Sequence, residues 1–198
     1  MTTYSHVQDT LRSSPRSWLV TGAAGFIGSH VVEKLLSLGQ RVRVLDNYFS
    51  STPKNLDLVR SLVGSAAAAN LEFTQGDIRS LDTCKAAMQG IDHVIHLGAM
   101  GSVPMSMDQP LACNEINVTG TLHVLQATHT AGIKRFVFAS SSAVYGDDPL
   151  PTKFEHSLGR TLSPYAASKL INEVYARTYL AAYGLETVGL RFFNVFGP

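Results

Sequence analysis

Tyr165 and Lys169 stand four residues apart in Ser163-Pro164-Tyr165-Ala166-Ala167-Ser168-Lys169, a spacing that puts both side chains on one face of a helix. A free tyrosine titrates near ~10 and is a poor base at neutral pH. A neighbouring ammonium favours the phenolate and brings that chemistry within reach. Such a tyrosine can take a hydroxyl proton while a hydride leaves the same carbon. Upstream, the cluster Ser140-Ser141-Ser142 offers Ser141 or Ser142 to hold the reacting oxygen and relay the proton. A Tyr-x-x-x-Lys pair alone is also an ordinary surface pair; its position after a serine cluster is what favours catalysis.

Hydride chemistry needs an acceptor, and the N-terminal stretch Trp18-Leu19-Val20-Thr21-Gly22-Ala23-Ala24-Gly25-Phe26-Ile27-Gly28 can hold one. A short apolar run reads as a buried parallel strand, and Ile27, Val31, Leu35 and Leu38 then recur at helical spacing. Gly22 permits the tight turn, Gly25 lets the backbone approach a pyrophosphate, and Gly28 lets the helix sit close on the strand. The second strand ends in Asp46, eighteen residues past Gly28, where a carboxylate accepts ribose hydroxyls. Arg41 and Arg43 hint at a phosphorylated ribose, but the Asp46 charge opposes a 2′-phosphate, so NAD is the expected cofactor. Its cationic nicotinamide ring would add to the pull of Lys169 on the tyrosine.

These groups have to be positioned by alternating strands and helices. Strands are expected at Arg41–Leu45, Leu71–Gln75, Asp92–Leu97, Arg135–Ala139 and Thr187–Arg191, besides the first. Helices are expected over Asn55–Val63, Leu81–Met88, Leu111–Ala131 and from Pro164 to Tyr183, the last capped by Ser163 and stopped by Gly184. Ala66–Ala69 reads as a loop or helix end. Residues 1–16 form a short helix or a tail. Gly98–Pro110 is too irregular for either period and reads as a contact loop. The alternation implies an α/β fold, a Rossmann-type doubly wound parallel sheet of about six strands with helices on both faces. In such a sheet ligands bind beyond the carboxyl ends of the strands, where Asp46, Asp77, Leu97, Ser141 and Phe192 fall.

Composition narrows the class. The 198 residues are 45% hydrophobic and 16% charged, which fits a globular chain with a sizeable core. A net charge of +1 gives no field for nucleic acid or an anionic membrane. No run approaches the ~18 apolar residues of a membrane span, and the N-terminus lacks a signal-peptide core. Cys84 and Cys113 lack metal-ligand spacing, and a cytoplasmic, reducing setting is expected. His93 and His96, three apart in a strand, face opposite ways, which argues against a shared metal. Tyr175, Tyr179 and Tyr183 repeat every four residues, as packing or as a dimer face.

The chain resembles the extended short-chain dehydrogenase/reductase family, the NAD-dependent epimerases and dehydratases. Within it, the chain is most similar to 4-epimerases of UDP-N-acetylglucosamine and its uronic acid. The stretches that carry the resemblance are Thr21–Gly28, Leu45-Asp46-Asn47, Gly76-Asp77-Ile78, Ser140–Gly146, Ser163–Lys169 and Arg191–Pro198. Gly101-Ser102-Val103-Pro104 resembles the loop that lines the sugar.

The resemblance implies Tyr165 as base, Lys169 on the nicotinamide ribose, and Ser141 as hydroxyl partner, with Ser142 sharing that role or touching the sugar. It implies cofactor contacts from Gly22, Gly25, Phe26, Ile27, Gly28, Asp46, Asn47, Ser50, Asp77, Ile78, Leu97, Gly98, Ala99, Asn117 and Phe192. It implies substrate contacts from Gly101, Ser102, Val103 and Asn194, and a homodimer through helices 111–131 and 164–183. The implied reaction oxidises C4 of a UDP-sugar to a ketone, turns the intermediate and reduces its other face. The rival within enzymes is a dehydratase or decarboxylase of the family, although dehydratases carry an acid pair where this chain has Ser142-Ala143. A non-catalytic NAD-binding fragment is the alternative from another class. Members run beyond Pro198 into a seventh strand and a smaller substrate domain. Residues 17–198 therefore correspond to the NAD-binding domain, the substrate domain is expected to be absent, and Phe192–Pro198 is expected to be left uncovered. Met105 stands where the branch often has a basic residue, and Gly98 where alanine is commoner.

Overall fold

The computed structural model describes residues 2–197, so of the expected uncovered C-terminal stretch only Pro198 lies outside the described residues. Six strands, β1 (Ser17–Thr21), β2 (Arg41–Asp46), β3 (Leu71–Gln75), β4 (His93–His96), β5 (Arg135–Ser141) and β6 (Glu186–Phe192), form one parallel sheet in the order β3-β2-β1-β4-β5-β6. The winding reverses between β1 and β4, which opens a crevice past their carboxyl ends.

Pleating divides the core. On β1, Leu19 turns to one face and Val20 to the other; on β2, Leu45 and Val44 divide in the same way. Val20 and Val44 pack under α2 (Phe26–Ser37) and α3 (Lys54–Ala68), with Val32, Leu36, Leu56 and Val59. Leu19 and Leu45 pack with Phe136, Phe138 and Leu125 under α4 (Leu81–Ala87) and the long helices of the other layer.

Several expected elements shift for identifiable reasons. A helix, α1 (Thr3–Ser13), forms at the N-terminus; the buried Gln40 amide holds it by donating to Leu11 O, while its Oε1 accepts from Arg16 N and Trp18 Nε1. On α2 the buried stripe is Gly28, Val32, Leu35 and Leu36, so Ile27 and Val31 are only half-buried. α3 continues past Val63 through a kink at Gly64, whose φ of 79° leaves the helical range. The expected irregular loop before Pro110 contains α5 (Val103–Asp108), started by Ser102 Oγ accepting Met105 N–H and by Pro104 in the first turn. The expected helix 111–131 is three pieces: α6 (Pro110–Asn114), a π-turn over Glu115–Thr119, and α7 (Gly120–Thr130). β5 extends to Ser141, so Ser140 and Ser141 are strand residues. The last helix, α8 (Pro164–Tyr183), has the expected bounds, with Ser163 accepting Ala166 N–H and Gly184 left-handed at its end. Of the tyrosine repeat, Tyr179 is core and Tyr175 packs against that core, while Tyr183 meets Tyr179 edge-on but stays exposed. Beyond β6, Phe193, Val195 and Phe196 stand exposed.

One buried polar chain crosses the layers. His96 Nδ1 lies 2.6 Å from Thr21 Oγ1 and its Nε2 lies 2.9 Å from Thr121 Oγ1. Thr21 Oγ1 also accepts Gly98 N–H, and Thr121 Oγ1 accepts Asn172 Nδ2–H, so β1, β4, α7 and α8 are joined. Full burial pushes the His96 pKa down to about 3, with the nearby Lys169 charge adding to the effect. Below pH 6.5 the unfolded chain takes up a proton that the folded ring refuses, so stability falls as pH drops towards 3. His96→Gln keeps two hydrogen-bonding groups without titrating. Urea unfolding across this range is expected to cost the wild type up to about 5 kcal/mol more than the variant; parallel pH profiles would contradict this.

Candidate active site

The crevice at the β1/β4 reversal is built first by a lack of space. Gly22 turns with φ 67°, and a Cβ there would lie 2.6 Å from Gly98 N. A Cβ on Gly28 would lie 2.3 Å from Gly22 O and 2.6 Å from Ala23 Cα, so the first turn of α2 rests directly on the glycine turn. Among the described residues no side chain caps α2 at Gly25. Its first N–H groups are thereby left for an anion, aided by the helix dipole.

Asp46 does more than its position at a strand end implies. Its Oδ2 accepts Ala24 N–H at 2.9 Å, and its Oδ1 accepts Tyr48 N–H at 2.8 Å and Ser51 Oγ–H at 3.1 Å. The carboxylate fastens the glycine loop and holds Tyr48 at φ 59°, the one positive φ outside glycine among the described residues. That conformation costs roughly 1–2 kcal/mol, offset in part by stacking on Phe73. With three donors in place, Asp46 has about one lone-pair site left for a ribose hydroxyl. Asn47 Nδ2 donates to Asp77 Oδ2, and Arg79 hydrogen bonds hold the Asp77 carboxyl down at about 2. A cavity of about 120 Å³ is lined here by Gly22, Gly25, Asp46, Asn47, Ser50, Asp77, Ile78, Leu97, Gly98 and Ala99. Leu45, Phe49, Ser51, Gly76 and Ile116 line it too, beyond the residues expected from the sequence. Ser51 was findable as a second hydroxyl just beyond a strand end.

A second cavity, of about 610 Å³, shares Gly22, Gly25, Leu97 and Ala99 with the first and continues along the strand ends. Phe26, Ile27, Gly28, Gly101, Val103, Ser141, Ser142, Tyr165, Lys169, Phe192 and Asn194 all line it. The glycine turn and the Tyr165–Lys169 pair thus face one space. Lys169 is buried, its Nζ donating 2.9 Å to Ala139 O and standing 5.8 Å from the Tyr165 ring centre. Burial lowers its pKa to about 8. Ser141 Oγ accepts Ala143 N–H, which caps the 3-10 turn Ser142–Tyr145.

Two of the expected residues lie outside both cavity linings. Ser102 spends its hydroxyl capping α5 and lines neither cavity. Asn117, fully buried in the π-turn, lines neither cavity; it binds Met100 N and O and Ser168 Oγ, a buttress beneath the site. Sequence reading missed Glu173, which continues the Tyr165, Lys169 series by four. Ser140 donates to Glu173 Oε1 at 2.6 Å and Arg191 donates to both its oxygens at 2.8 Å. Burial alone would raise the Glu173 pKa, but these hydrogen bonds outweigh it and lower it. The i,i+4 series was its available signal.

The space fits an extended dinucleotide: uncapped helix N–H groups and a cradle that a Cβ would fill lie midway, between acidic groups at one end and the Tyr165–Lys169 pair at the other. Comparison with known proteins gives the same grouping. The model of the family described as "NAD dependent epimerase/dehydratase family" matches residues 18–198. "UDP-glucose 4-epimerase 3" of Oryza sativa subsp. japonica is 40% identical over 184 residues, covering 91% of this chain and 49% of the relative. The solved UDP-N-acetylglucosamine 4-epimerase of Methanobrevibacter ruminantium, in complex with UDP-N-acetylmuramic acid, superposes with TM-score 0.84 at 36% identity, over 93% of this chain and 56% of that one. The UDP-glucose 4-epimerase of Thermus thermophilus, in complex with NAD, gives 0.81 at 39% identity, over 92% and 56%. The chain spans about half the length of the curated relatives it matches.

Lys169 supplies a test of the site's electrostatics. Between pH 8 and 10.5 the folded chain has released this proton and the unfolded chain has not, so the cost of burying the ammonium is relieved as pH rises. The stability of the wild type relative to Lys169→Met is expected to increase by about 3 kcal/mol across that window. A constant difference in chemical denaturation would place the charge in solvent.

Proposed function

The chain belongs to the NAD-dependent epimerase/dehydratase family, and from that premise we propose that it provides the cofactor-binding and proton-transfer half of a nucleotide-sugar 4-epimerase. The supporting observation is the continuous cleft lined by both the glycine turn and the Tyr165–Lys169 pair. The chemistry NAD supplies when bound is hydride acceptance from, and return to, C4 of the sugar.

In this reading Tyr165 takes the C4 hydroxyl proton and gives it back on the return step. Lys169, fixed by Ala139 O, holds a ribose hydroxyl and keeps positive charge beside the phenol. Ser141 and Ser142 bind the reacting oxygen. Asp46, Asn47 and Ser50 hold the adenosine ribose, Asp77 and Ile78 the adenine, and the N–H groups of Phe26 and Ile27 the pyrophosphate. Leu97, Gly98 and Ala99 form the opposite wall. Phe192 packs at the nicotinamide end, and Gly101, Val103 and Asn194 face the substrate.

UDP-sugars are the substrate class, in keeping with relatives named for UDP-glucose and UDP-N-acetylglucosamine. The N-acetyl branch rests on Gly101-Ser102-Val103-Pro104. Residues 17–198 serve as the NAD-binding domain. Ile171, Val174 and Leu180, exposed on α8, support a homodimer through α8 and the helical segment 111–131. No described helix is long and apolar enough to cross a membrane. Cys84 and Cys113 are free, in keeping with a cytoplasmic setting.

Two measurements test the proposal. NAD is expected to bind more tightly than NADP, and Asp46→Ala to lower NAD affinity at least tenfold, because the glycine loop loses its anchor along with the ribose its acceptor. Equal binding of both cofactors by the wild type would overturn this assignment. Tyr165→Phe is expected to retain NAD within about twofold but to slow single-turnover reduction of the cofactor by UDP-sugar at least tenfold, ~1.4 kcal/mol of barrier. A smaller loss would give the proton to another group.

A further inference from the structure

The first turn of α8 carries the tyrosine, and its backbone donors can be accounted for one by one. Pro164 has no N–H. Ala166 N–H goes to Ser163 Oγ at 3.1 Å and Ala167 N–H to Ser163 O at 3.0 Å. Ser163 has only one hydroxyl, and it serves Ala166. The Tyr165 N–H instead meets Ser106 Oγ at 3.1 Å, a hydroxyl from 59 residues earlier in the chain.

Ser106 is fully buried, although its neighbours Met105 and Met107 are exposed. It is the residue of that short run that α5 turns inward, and it is polar where packing alone would favour an apolar side chain. Its own O–H donates 2.7 Å to Val103 O, which leaves the oxygen's lone pairs for Tyr165. Val103 lines the same cleft as Tyr165. The segment facing the sugar is therefore hydrogen-bonded, through one hydroxyl, to the backbone of the proposed base.

We infer that Ser106 is a positioning residue: it completes the cap of α8 from another element and fixes where Tyr165 stands relative to the segment that lines the substrate cleft. The inference rests on the reading of Tyr165 as the base. Losing the hydroxyl leaves a half-buried donor without its protein acceptor, and the Tyr165 backbone shifts to find another. A shift of under an ångström at a reacting group is enough to slow chemistry without weakening ground-state binding.

The test uses the 198-residue chain with Ser106→Ala, Ser106→Thr and Ser106→Cys, read in two ways. Backbone hydrogen exchange is followed at Tyr165, with Ala166 and Ala167, capped by Ser163, as internal controls. Ser106→Ala is expected to speed exchange at Tyr165 at least tenfold and leave the two controls unchanged; general destabilisation would speed all three. With NAD and UDP-sugar, the same variant is expected to keep NAD affinity and KM within about twofold and lose at least tenfold in kcat. Ser106→Thr restores both readings, and Ser106→Cys, a weaker acceptor of similar shape, falls between. If Ser106→Ala does not fold, the Thr and Cys pair carries the comparison. Unchanged exchange at Tyr165, or a loss confined to KM, overturns the proposal. A wild-type chain that transfers no hydride contradicts the proposed function alone, and the exchange comparison then decides the role of Ser106.

Discussion

Everything at this site depends on how closely one helix approaches one turn. The first turn of α2 lies so near the end of β1 that a single carbon added at Gly28 would overlap the Gly22 carbonyl. That contact aims the helix's uncapped N–H groups into the crevice rather than over it. Gly22 is constrained in turn from the other side, by the Gly98 backbone at the end of β4. Three backbone segments meet with no side chain between them, and the cleft is the space they leave. With bulk excluded, an anion has room to come close to the amide hydrogens.

Polar side chains lock the arrangement from behind. Asp46 holds Ala24, Tyr48 and Ser51, so the carboxylate proposed to meet a ribose also fastens the glycine loop. His96 ties Thr21 and, through it, Gly98 to Thr121 and Asn172, one turn of α8 beyond Lys169. The glycine-turn end of the cleft and α8 are thereby parts of one hydrogen-bonded frame. Charge in that frame is uneven. Lys169 is buried against a backbone carbonyl with no carboxylate bonded to it among the described residues, while Glu173, one turn on, is paired with Arg191 and bonded by Ser140. An ammonium held this way keeps its field for the phenol beside it.

The strands and the residues at their carboxyl ends were legible because their signals are local. Three glycines after an apolar run, an acid at the next strand end, and Ser163-Pro164 opening a helix each state a backbone requirement in a few residues. The positions of Tyr165 and Lys169 followed from helical spacing alone. What stayed hidden was of another kind. Ser102 sits in a loop-like stretch, yet its hydroxyl starts α5; Asn117 has helical spacing, yet a π-turn carries it beneath the site. Ser106 and Glu173 bond to partners 59 and 18 residues away, Tyr165 and Arg191. Periodicity cannot report such pairs, because they exist only after the sheet has brought the segments together.

The central claim is that the glycine turn and the Tyr165–Lys169 pair belong to one binding site. The most direct test is to solve the structure of the chain with NAD. The account predicts one dinucleotide along the shared cleft, its pyrophosphate on the N–H groups of Phe26 and Ile27, its adenosine beside Asp46 and Asp77, and its nicotinamide end beside Tyr165. NAD seated on another face, or no NAD at saturating concentration in a folded chain, would contradict it.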